Sequence, residues 1–234
     1  MKTILELDGI SAGYGSAMII HDVCMQLKER ESVALLGKNG MGKSTLLKAI
    51  MGYLPKKSGS IRMLDCDTTK LKPHKIARLG IAYAAQEQAI FTELSVRTNL
   101  LLGLKRPKTF RHRFNEILHL FPVFKDRLNQ HAGTLSGGEQ KMLLVARSLM
   151  QTPEVIILDE ITEGLQPSVI NCLADALVWE RRVHGTSMLI VEQNIDFAMK
   201  ATQRYMVLKQ GHIIDEGNCS DDGARQKIMN HLKV

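Results

Sequence analysis

The chain has 234 residues, 44% of them hydrophobic and 24% charged, a balance typical of soluble globular proteins. Its longest apolar runs, such as Val155–Leu158, fall far short of the ~20 residues that span a bilayer. The segment Met1–Leu7 lacks the apolar core of a signal peptide. We therefore expect a cytosolic chain that does not itself cross a membrane.

Charge and cysteine content restrict the function further. The net charge of +7 is spread along the chain, apart from the dense stretch Lys105–Arg113, and this favours a basic surface over a nucleic-acid site. The four cysteines are widely separated and show no metal-binding or redox spacing, so we expect them to be reduced.

Short apolar strands alternate with helical patterns along most of the chain. Apolar spacing predicts a helix over Ser44–Met51 and another that begins at Pro167 and ends at Gly185. This alternation predicts a mostly parallel sheet with helices on both faces. The predicted strands are Val33–Leu36, Ile81–Ala84, Val155–Leu158, Met188–Val191 and Met206–Leu208.

Two regions depart from this alternation. Residues 1–32 and 58–65 have the period of two that is typical of antiparallel strands. Residues 87–150 carry almost no strand pattern, and an amphipathic helix is predicted there from Phe114, Ile117, Leu118 and Phe121. The sequence therefore predicts an α/β core, a small antiparallel β subdomain and an inserted helical subdomain.

The segment Gly37–Ser44 reads Gly-Lys-Asn-Gly-Met-Gly-Lys-Ser and lies between a predicted strand and a predicted helix. Glycines let backbone N–H groups surround phosphate oxygens, and the helix N-terminus adds partial positive charge. Lys43 would reach the β- and γ-phosphates of a nucleotide, and Ser44 would bind Mg²⁺. The candidate nucleotide-binding residues here are Gly37, Lys38, Asn39, Gly40, Met41, Gly42, Lys43, Ser44 and Thr45.

Two adjacent carboxylates follow the apolar run Val155–Leu158. Ligands bind at the carboxyl ends of strands in open α/β sheets, so Asp159 and Glu160 are expected beside the phosphate loop, Gly37–Ser44. Asp159 suits a magnesium site, and Glu160 suits the polarisation of an attacking water. An acidic pair after a strand is otherwise a surface turn.

The segment Leu135–Gln140, Leu-Ser-Gly-Gly-Glu-Gln, precedes a helical pattern. Ser136 and Glu139 fit a capping box, which is the simple structural explanation. Two glycines inside the box disfavour helix, however, and are explained if a phosphate approaches this backbone closely.

These three motifs, in this order and spacing, resemble the nucleotide-binding subunits of ABC transporters over essentially the whole chain. The resemblance implies an ABC ATPase version of the P-loop NTPase fold in a single domain, with a core of residues 1–86 and 151–234 and a helical signature subdomain of residues 87–150. It also implies that ATP and Mg²⁺ are sandwiched between two subunits. Ser136 and Gly138 would contact the γ-phosphate of the facing subunit's ATP, and Gly137 and Glu139 complete the nucleotide-binding residues of this segment.

Three further positions match the family residue by residue. Tyr14 would stack on adenine, and a tyrosine in a β-turn is the less favoured alternative. Gln86 would join the magnesium site to the helical subdomain and take part in catalysis. Gln193 occupies the catalytic switch position, where most members carry histidine.

The finer resemblance is to importers of branched-chain amino acids and of urea, both of which carry glutamine at the switch position. Leu135–Leu143 and Val191–Asn194 are similar to the amino-acid branch, whereas Leu120–Lys125 and Glu163–Ser168 are more similar to the urea branch. The transported solute stays open, because this subunit does not touch it.

The resemblance implies the partners of the chain: a second cassette, two membrane permeases and, indirectly, a solute-binding protein. This chain would then lie peripherally on the cytoplasmic face of the plasma membrane. The alternative is an ABC protein that acts on nucleic acid or ribosomes, but such proteins usually have two cassettes in one chain or a long coiled coil.

A few positions depart from the family pattern. Ile161 replaces a nearly invariant proline, Gln166 replaces an aspartate, and the usual proline before Gln86 is lacking. These departures bear on the rate of hydrolysis rather than on ATP binding.

Overall fold

The computed structural model describes residues 2–85, 90–104 and 110–233. The strands are β1 (Thr3–Tyr14), β2 (Ala17–Lys28), β3 (Ser32–Leu36), β4 (Lys56–Met63), β5 (Cys66–Asp67), β6 (Ile81–Ala84), β7 (Val155–Asp159), β8 (Ser187–Glu192), β9 (Arg204–Lys209) and β10 (His212–Asn218). The helices are α1 (Lys43–Ile50), α2 (Pro73–Arg78), α3 (Val96–Leu102), α4 (Phe110–Leu120), α5 (Gly137–Met150), α6 (Pro167–His184), α7 (Ile195–Ala201) and α8 (Ala224–Leu232). Two 3₁₀ turns, Pro122–Arg127 and Ala132–Thr134, lie between α4 and α5.

The central sheet has six strands in the order β10-β9-β3-β8-β7-β6. All neighbours are parallel except the β9–β10 hairpin. Strands β3, β7 and β8 are buried on both faces, because Val155 and Ile157 of β7 pack on one side while Ile156 and Leu158 pack on the other. The predicted α/β class with a mostly parallel sheet is therefore confirmed.

A second, antiparallel sheet covers one face of the central sheet. Its order is β2-β1-β4-β5, and its buried residues, such as Leu5 and Ile61, share a core with Leu46 and Leu47 of α1. The predicted antiparallel subdomain is confirmed, and β1 and β2 extend further than the alternation indicated, since each is a 12-residue strand.

Helices α3 to α6 pack on the other face. The predicted helix over Phe114–Phe121 corresponds to α4, and Phe114, Ile117 and Phe121 are buried as its spacing requires. A buried ion pair joins this helix to α6, because the guanidinium of Arg113 lies 2.7 Å from a carboxylate oxygen of Glu180. Neither the α3–α5 region nor any other described segment contains a helix long and apolar enough to cross a bilayer.

The C-terminal part of the chain holds two elements that the sequence did not indicate. Strand β10 alternates between exposed and half-buried residues, and α8 buries only Ala224 and Ile228. Both elements therefore lack the strong apolar pattern on which sequence-based assignment depends. The division of the chain into residues 87–150 and the surrounding core stays a prediction.

Candidate active site

The phosphate loop joins the end of β3 to the start of α1. Packing within the chain requires glycine at two positions of this loop, Gly37 and Gly42. A Cβ on Gly37 would lie 2.7 Å from the carbonyl oxygen of Leu208, and one on Gly42, whose φ is 103°, would lie 2.7 Å from Cδ1 of Ile20. The loop therefore has no side chains at these positions beside the N-terminus of α1, where the free N–H groups of a helix favour an anion.

The ammonium group of Lys43 is held on the inner side of this loop. It donates hydrogen bonds to the carbonyl oxygens of Gly37, at 2.7 Å, and of Lys38, at 2.9 Å. It also forms an ion pair of 2.8 Å with Oε1 of Glu160, and both side chains are buried. The structure thus brings together the predicted phosphate-binding lysine and the predicted catalytic carboxylate.

Glu160 follows directly on β7, as the sequence predicted. Its N–H donates to the carbonyl oxygen of Val191 at 2.9 Å, and its φ of 47° lies in the left-handed region, which is uncommon for residues other than glycine. This backbone conformation turns the chain away from the sheet immediately after Asp159.

Asp159 lies beside Ser44 in a buried position. The nearby hydroxyl group of Ser44 favours the ionised form of this carboxylate. Burial, together with the charge of Glu160, raises the pKa of Asp159 to about 6, although Lys43 and Lys48 oppose the shift. One carboxylate oxygen, Oδ1, has no hydrogen-bond partner among the described residues.

These oxygens fit a magnesium ion that takes most of its ligands from phosphate and water. The described residues contain no group of three or more His, Cys, Asp or Glu side chains that could hold a metal by itself. Mg²⁺ is usually bound through one or two carboxylates together with substrate phosphates, and the pair of Asp159 and Ser44 suits this mode.

Gln193, the predicted switch residue, follows β8 and reaches the phosphate loop. Its side-chain amide donates to Oδ1 of Asn39. The structure therefore brings Gln193 to the same loop as Lys43, and Asn39 is its partner there.

The signature segment, Leu135–Gln140, contains the N-terminus of α5. Oγ of Ser136 accepts from the N–H of Glu139, and the Glu139 carboxylate accepts from the Ser136 N–H at 2.9 Å, so the capping box is present. Arg127 pairs with Glu139 at 2.8 Å. Within the described residues, no hydrogen bond or ion pair joins this segment to the phosphate loop.

The two glycines of the signature differ in their surroundings. A Cβ on Gly138 would lie 3.2 Å from Val169, which is tight, whereas a Cβ on Gly137 would meet nothing within 4 Å. Ser136 and Gly137 are exposed. Folding of this chain therefore does not by itself require glycine at position 137.

The remaining predicted site residues lie at the edges of the site or outside the described chain. Tyr14 ends β1 in a tight hairpin opposite Ala17, and 49% of its surface is exposed, which suits both the stacking and the β-turn interpretations. Thr45 lies in the first turn of α1. Gln86 lies outside the described residues.

Sequence reasoning missed one buried carboxylate near the site. Glu192 ends β8 and is 2% exposed, and its carboxylate accepts hydrogen bonds from the N–H and hydroxyl groups of Thr162. The signal that could have identified it is a single charged residue at the end of the apolar run Met188–Val191.

Comparison with known proteins places these motifs in a family. A profile of the ABC transporter family matches residues 20–163. The high-affinity branched-chain amino acid transport ATP-binding protein BraG of Pseudomonas aeruginosa is 38% identical over 213 residues, which cover 90% of this chain and 91% of BraG. The lipopolysaccharide export system ATP-binding protein LptB of Escherichia coli is 33% identical, over 91% of this chain and 90% of LptB.

Solved structures agree with this assignment. The cbiO1 protein of Clostridium perfringens, described as part of the ABC transporter complex cbiONQ, is 26% identical and superposes with a TM-score of 0.84. The match covers 99% of this chain and 94% of cbiO1, so the two share the complete fold.

Proposed function

This chain belongs to the ABC transporter family, and we propose that it is the ATP-hydrolysing subunit of an importer for branched-chain amino acids. One observation carries the proposal of hydrolysis: Lys43, Asp159 and Glu160 lie together in buried positions at the phosphate loop. The cargo rests on BraG, whose name assigns it to branched-chain amino acid transport.

The phosphate side of the site would act through charge. Lys43 would exchange its bond to Glu160 for bonds to the β- and γ-phosphates, with the N–H groups of the loop completing the grip. Ser44 and Asp159 would hold Mg²⁺, which supplies positive charge against the phosphate oxygens when bound. Gln86 is proposed as a further magnesium ligand, from the family resemblance alone.

The reacting side of the site would act on water. Glu160, once released from Lys43, would accept a hydrogen bond from the attacking water and polarise it. Gln193 would orient the water or the γ-phosphate by neutral hydrogen bonds from the position it holds beside Asn39. Tyr14 would stack on the adenine.

We further propose that each catalytic centre is completed by a second cassette. The exposed start of α5, with Ser136 and Gly137, offers helix N–H groups to a phosphate. Packing within this chain does not require glycine at position 137, and the absence of a side chain there leaves the backbone accessible. The start of α5 has no hydrogen bond to its own phosphate loop within the described residues. A facing subunit would bring the signature segment and the phosphate loop together across an interface, so a lone chain would lack donors that must be in place before reaction.

Complementation between two inactive variants tests this split site. Lys43→Ala removes the phosphate side of a centre, and Ser136→Arg blocks the signature side. In a mixed pair, the phosphate loop of the Ser136→Arg chain would face the intact signature of the Lys43→Ala chain. We expect ATP hydrolysis, measured as phosphate release, to reappear when the two variants are mixed.

The matched control mixes Lys43→Ala with Glu160→Gln, two lesions on the same side of a centre, which should give no recovery. Turnover by the unaltered chain should also rise more steeply than linearly with protein concentration. No recovery in the first mixture, together with fast turnover by a chain shown to be monomeric with ATP, would rule out the split site.

The partner in the working transporter is proposed to be a similar but non-identical cassette, with both docked on two permeases at the cytoplasmic face of the membrane. Segments such as Glu163–Ser168 resemble the urea branch and keep urea as the second candidate cargo. Copurification with permeases, followed by ATP-driven uptake of labelled leucine or labelled urea into vesicles, distinguishes the two. If neither solute is taken up, both cargo proposals are wrong, and the proposal of ATP hydrolysis is unaffected.

A further inference from the structure

A single buried carboxylate connects the segments that follow two strands of the central sheet. Oε1 of Glu192 accepts from the N–H of Thr162 at 3.1 Å, and Oε2 accepts from the Thr162 hydroxyl at 2.8 Å and from the N–H of Gln193 at 3.2 Å. Within the described parts of the chain, no lysine, arginine or histidine pairs with Glu192. Burial raises its pKa in spite of these donors, so the carboxylate is held by neutral groups at an energetic cost.

The same stretch of β8 also fixes the phosphate loop and Glu160 through its backbone. The carbonyl oxygen of Glu192 accepts from the N–H of Gly37 at 3.4 Å, and that of Val191 accepts from the N–H of Glu160 at 2.9 Å. Two residues at the end of one strand therefore contact the phosphate loop, the catalytic carboxylate's backbone and the turn beyond it.

We propose that Glu192 is a positioning residue for ATP hydrolysis, which holds the Thr162 turn against the Gln193 segment so that Glu160 and Gln193 keep one relative geometry. The inference rests on the proposed function, because it assumes that Glu160 and Gln193 act on the same γ-phosphate. Thr162 lies two residues after Glu160, and Gln193 directly follows Glu192, so a shift in this link moves both side chains. Displacements of about 1 Å at reacting groups can reduce rates by about a hundredfold.

The chemistry of the site explains why a carboxylate is needed. The Thr162 N–H, the Thr162 hydroxyl and the Gln193 N–H all donate hydrogen bonds to Glu192, and an ionised carboxylate has acceptor sites for each. An amide would place N–H donors against the backbone N–H of either Thr162 or Gln193. Glu192→Gln would therefore keep the shape of the side chain and break one side of the link.

The chain offers a matched control for the loss of the threonine hydroxyl. Thr186 also donates its hydroxyl to a buried carboxylate, at 2.9 Å from Oε1 of Glu180, which pairs with Arg113. Thr162 and Thr186 are 5% and 2% exposed. Valine at either position removes one buried Thr–Glu hydrogen bond, but only Thr162 lies next to the catalytic segment.

The experiment compares Thr162→Val, Thr162→Ser and Thr186→Val in the full-length chain. Hydrolysis is measured at saturating Mg–ATP and one fixed protein concentration, and ATP affinity is measured by titration with a fluorescent ATP analogue. We expect Thr162→Val to lower kcat by at least about tenfold while the Kd for the analogue stays within about twofold. Thr162→Ser keeps the hydroxyl and should retain most of the activity, and Thr186→Val should keep kcat within about twofold while lowering Tm.

Glu192→Gln and the double variant Glu192→Gln/Thr162→Val complete the series. Residues that act as one unit are not additive, so the double variant should be no slower than the slower single variant. Should Glu192→Gln fail to fold, the comparison of valine with serine at position 162 still decides.

The outcomes separate this inference from the proposed function. Parental kcat in Thr162→Val, with Glu160→Gln inactive in the same assay, would overturn the role of Glu192 and leave the ATPase assignment standing. Equal losses of kcat and of ATP affinity, or an equal loss of kcat in Thr186→Val, would also overturn it, because both results indicate a general structural role. Full activity in Glu160→Gln would instead refute the proposed catalytic site.

Discussion

The ammonium nitrogen of Lys43 lies 2.8 Å from a carboxylate oxygen of Glu160, and both side chains are buried. An ATP phosphate that reaches Lys43 must therefore compete with Glu160 for it. This exchange would link the two halves of the chemistry, because the step that binds phosphate also releases the carboxylate that polarises water. Glu160 would then polarise water only after a phosphate has displaced it from Lys43.

The first prediction concerns Glu160→Gln. The amide keeps the shape of the side chain but cannot balance the charge of Lys43, so the free energy of unfolding should fall by about 1–3 kcal/mol without nucleotide. ATP should bind at least as tightly, since it no longer competes with a carboxylate, and hydrolysis should fall by at least about a hundredfold. The rise in Tm on adding Mg–ATP should therefore exceed that of the parent.

The control for this variant is Glu163→Gln, which changes an exposed carboxylate three residues further along. It should leave turnover near the parental rate. Parental turnover in Glu160→Gln itself would show that another group polarises the water.

The second prediction concerns the pH dependence of stability. Burial and the nearby Glu160 raise the pKa of Asp159 to about 6, whereas the unfolded chain has an ordinary value near 4. Between these values the folded protein holds a proton that the unfolded chain has lost. Ionisation of Asp159 should therefore lower the free energy of unfolding as the pH rises through this window, by up to about 2 kcal/mol.

Urea denaturation at pH 4.5 and pH 7.5, with a chelator and without nucleotide, measures this effect in the parent and in Asp159→Asn. The difference between the two proteins should change with pH in the stated direction. A constant difference across the range would mean that Asp159 titrates as an ordinary aspartate.

The third prediction concerns Gln193→His. Glutamine bonds Asn39 through a group that does not titrate, whereas histidine changes charge near neutral pH. The pH profile of kcat for the variant should therefore contain a transition near pH 6–7 that the parent lacks. Superimposable profiles would show that the residue does not contact the reacting groups.

The fourth prediction concerns Ile161→Pro, for which sequence and structure point in opposite directions. The family pattern has proline here, and its fixed φ could stabilise the turn after Glu160. In the structure, however, Ile161 is fully buried in the helical core, and Glu160 has a φ of 47°. Proline disfavours that conformation in the preceding residue and leaves part of the buried volume empty.

We therefore expect Ile161→Pro to lower the free energy of unfolding by about 1–3 kcal/mol and to lower Tm. Ile161→Val, which changes the volume slightly and leaves the backbone free, is the control and should cost less. A higher Tm with faster hydrolysis would favour the family pattern over this argument.

Contiguous motifs were the part of the site that could be read from the sequence. The glycines of the phosphate loop lie within eight consecutive residues, and Asp159 and Glu160 are adjacent after an apolar strand. Each motif determines its own local conformation, and the end of a parallel strand fixes where it lies. The predicted core strands accordingly agree with β3, β6, β7, β8 and β9 to within two residues at each end.

Pairings between distant segments could not be read in this way. Thr162 and Glu192 are 30 residues apart, and their contact depends on the register of β7 against β8, which no local pattern encodes. The pairing of Lys43 with Glu160 was missed for a different reason, since Lys43 was assigned to the phosphates and Glu160 to the attacking water. The β9–β10 hairpin was missed because β10 buries too little apolar surface to leave a signal.

The position of β8 has a consequence for synthesis of the protein. This strand lies between β3 and β7, and its last two residues accept hydrogen bonds from the phosphate loop and from Glu160. A nascent chain that has not yet reached residue 187 already contains the phosphate loop and both carboxylates, but not the strand that joins them. Until then β3 and β7 expose edges to wrong pairing, and contacts of such long sequence separation form slowly. Nucleotide could therefore act as a folding ligand only after residues 187–192 have been made.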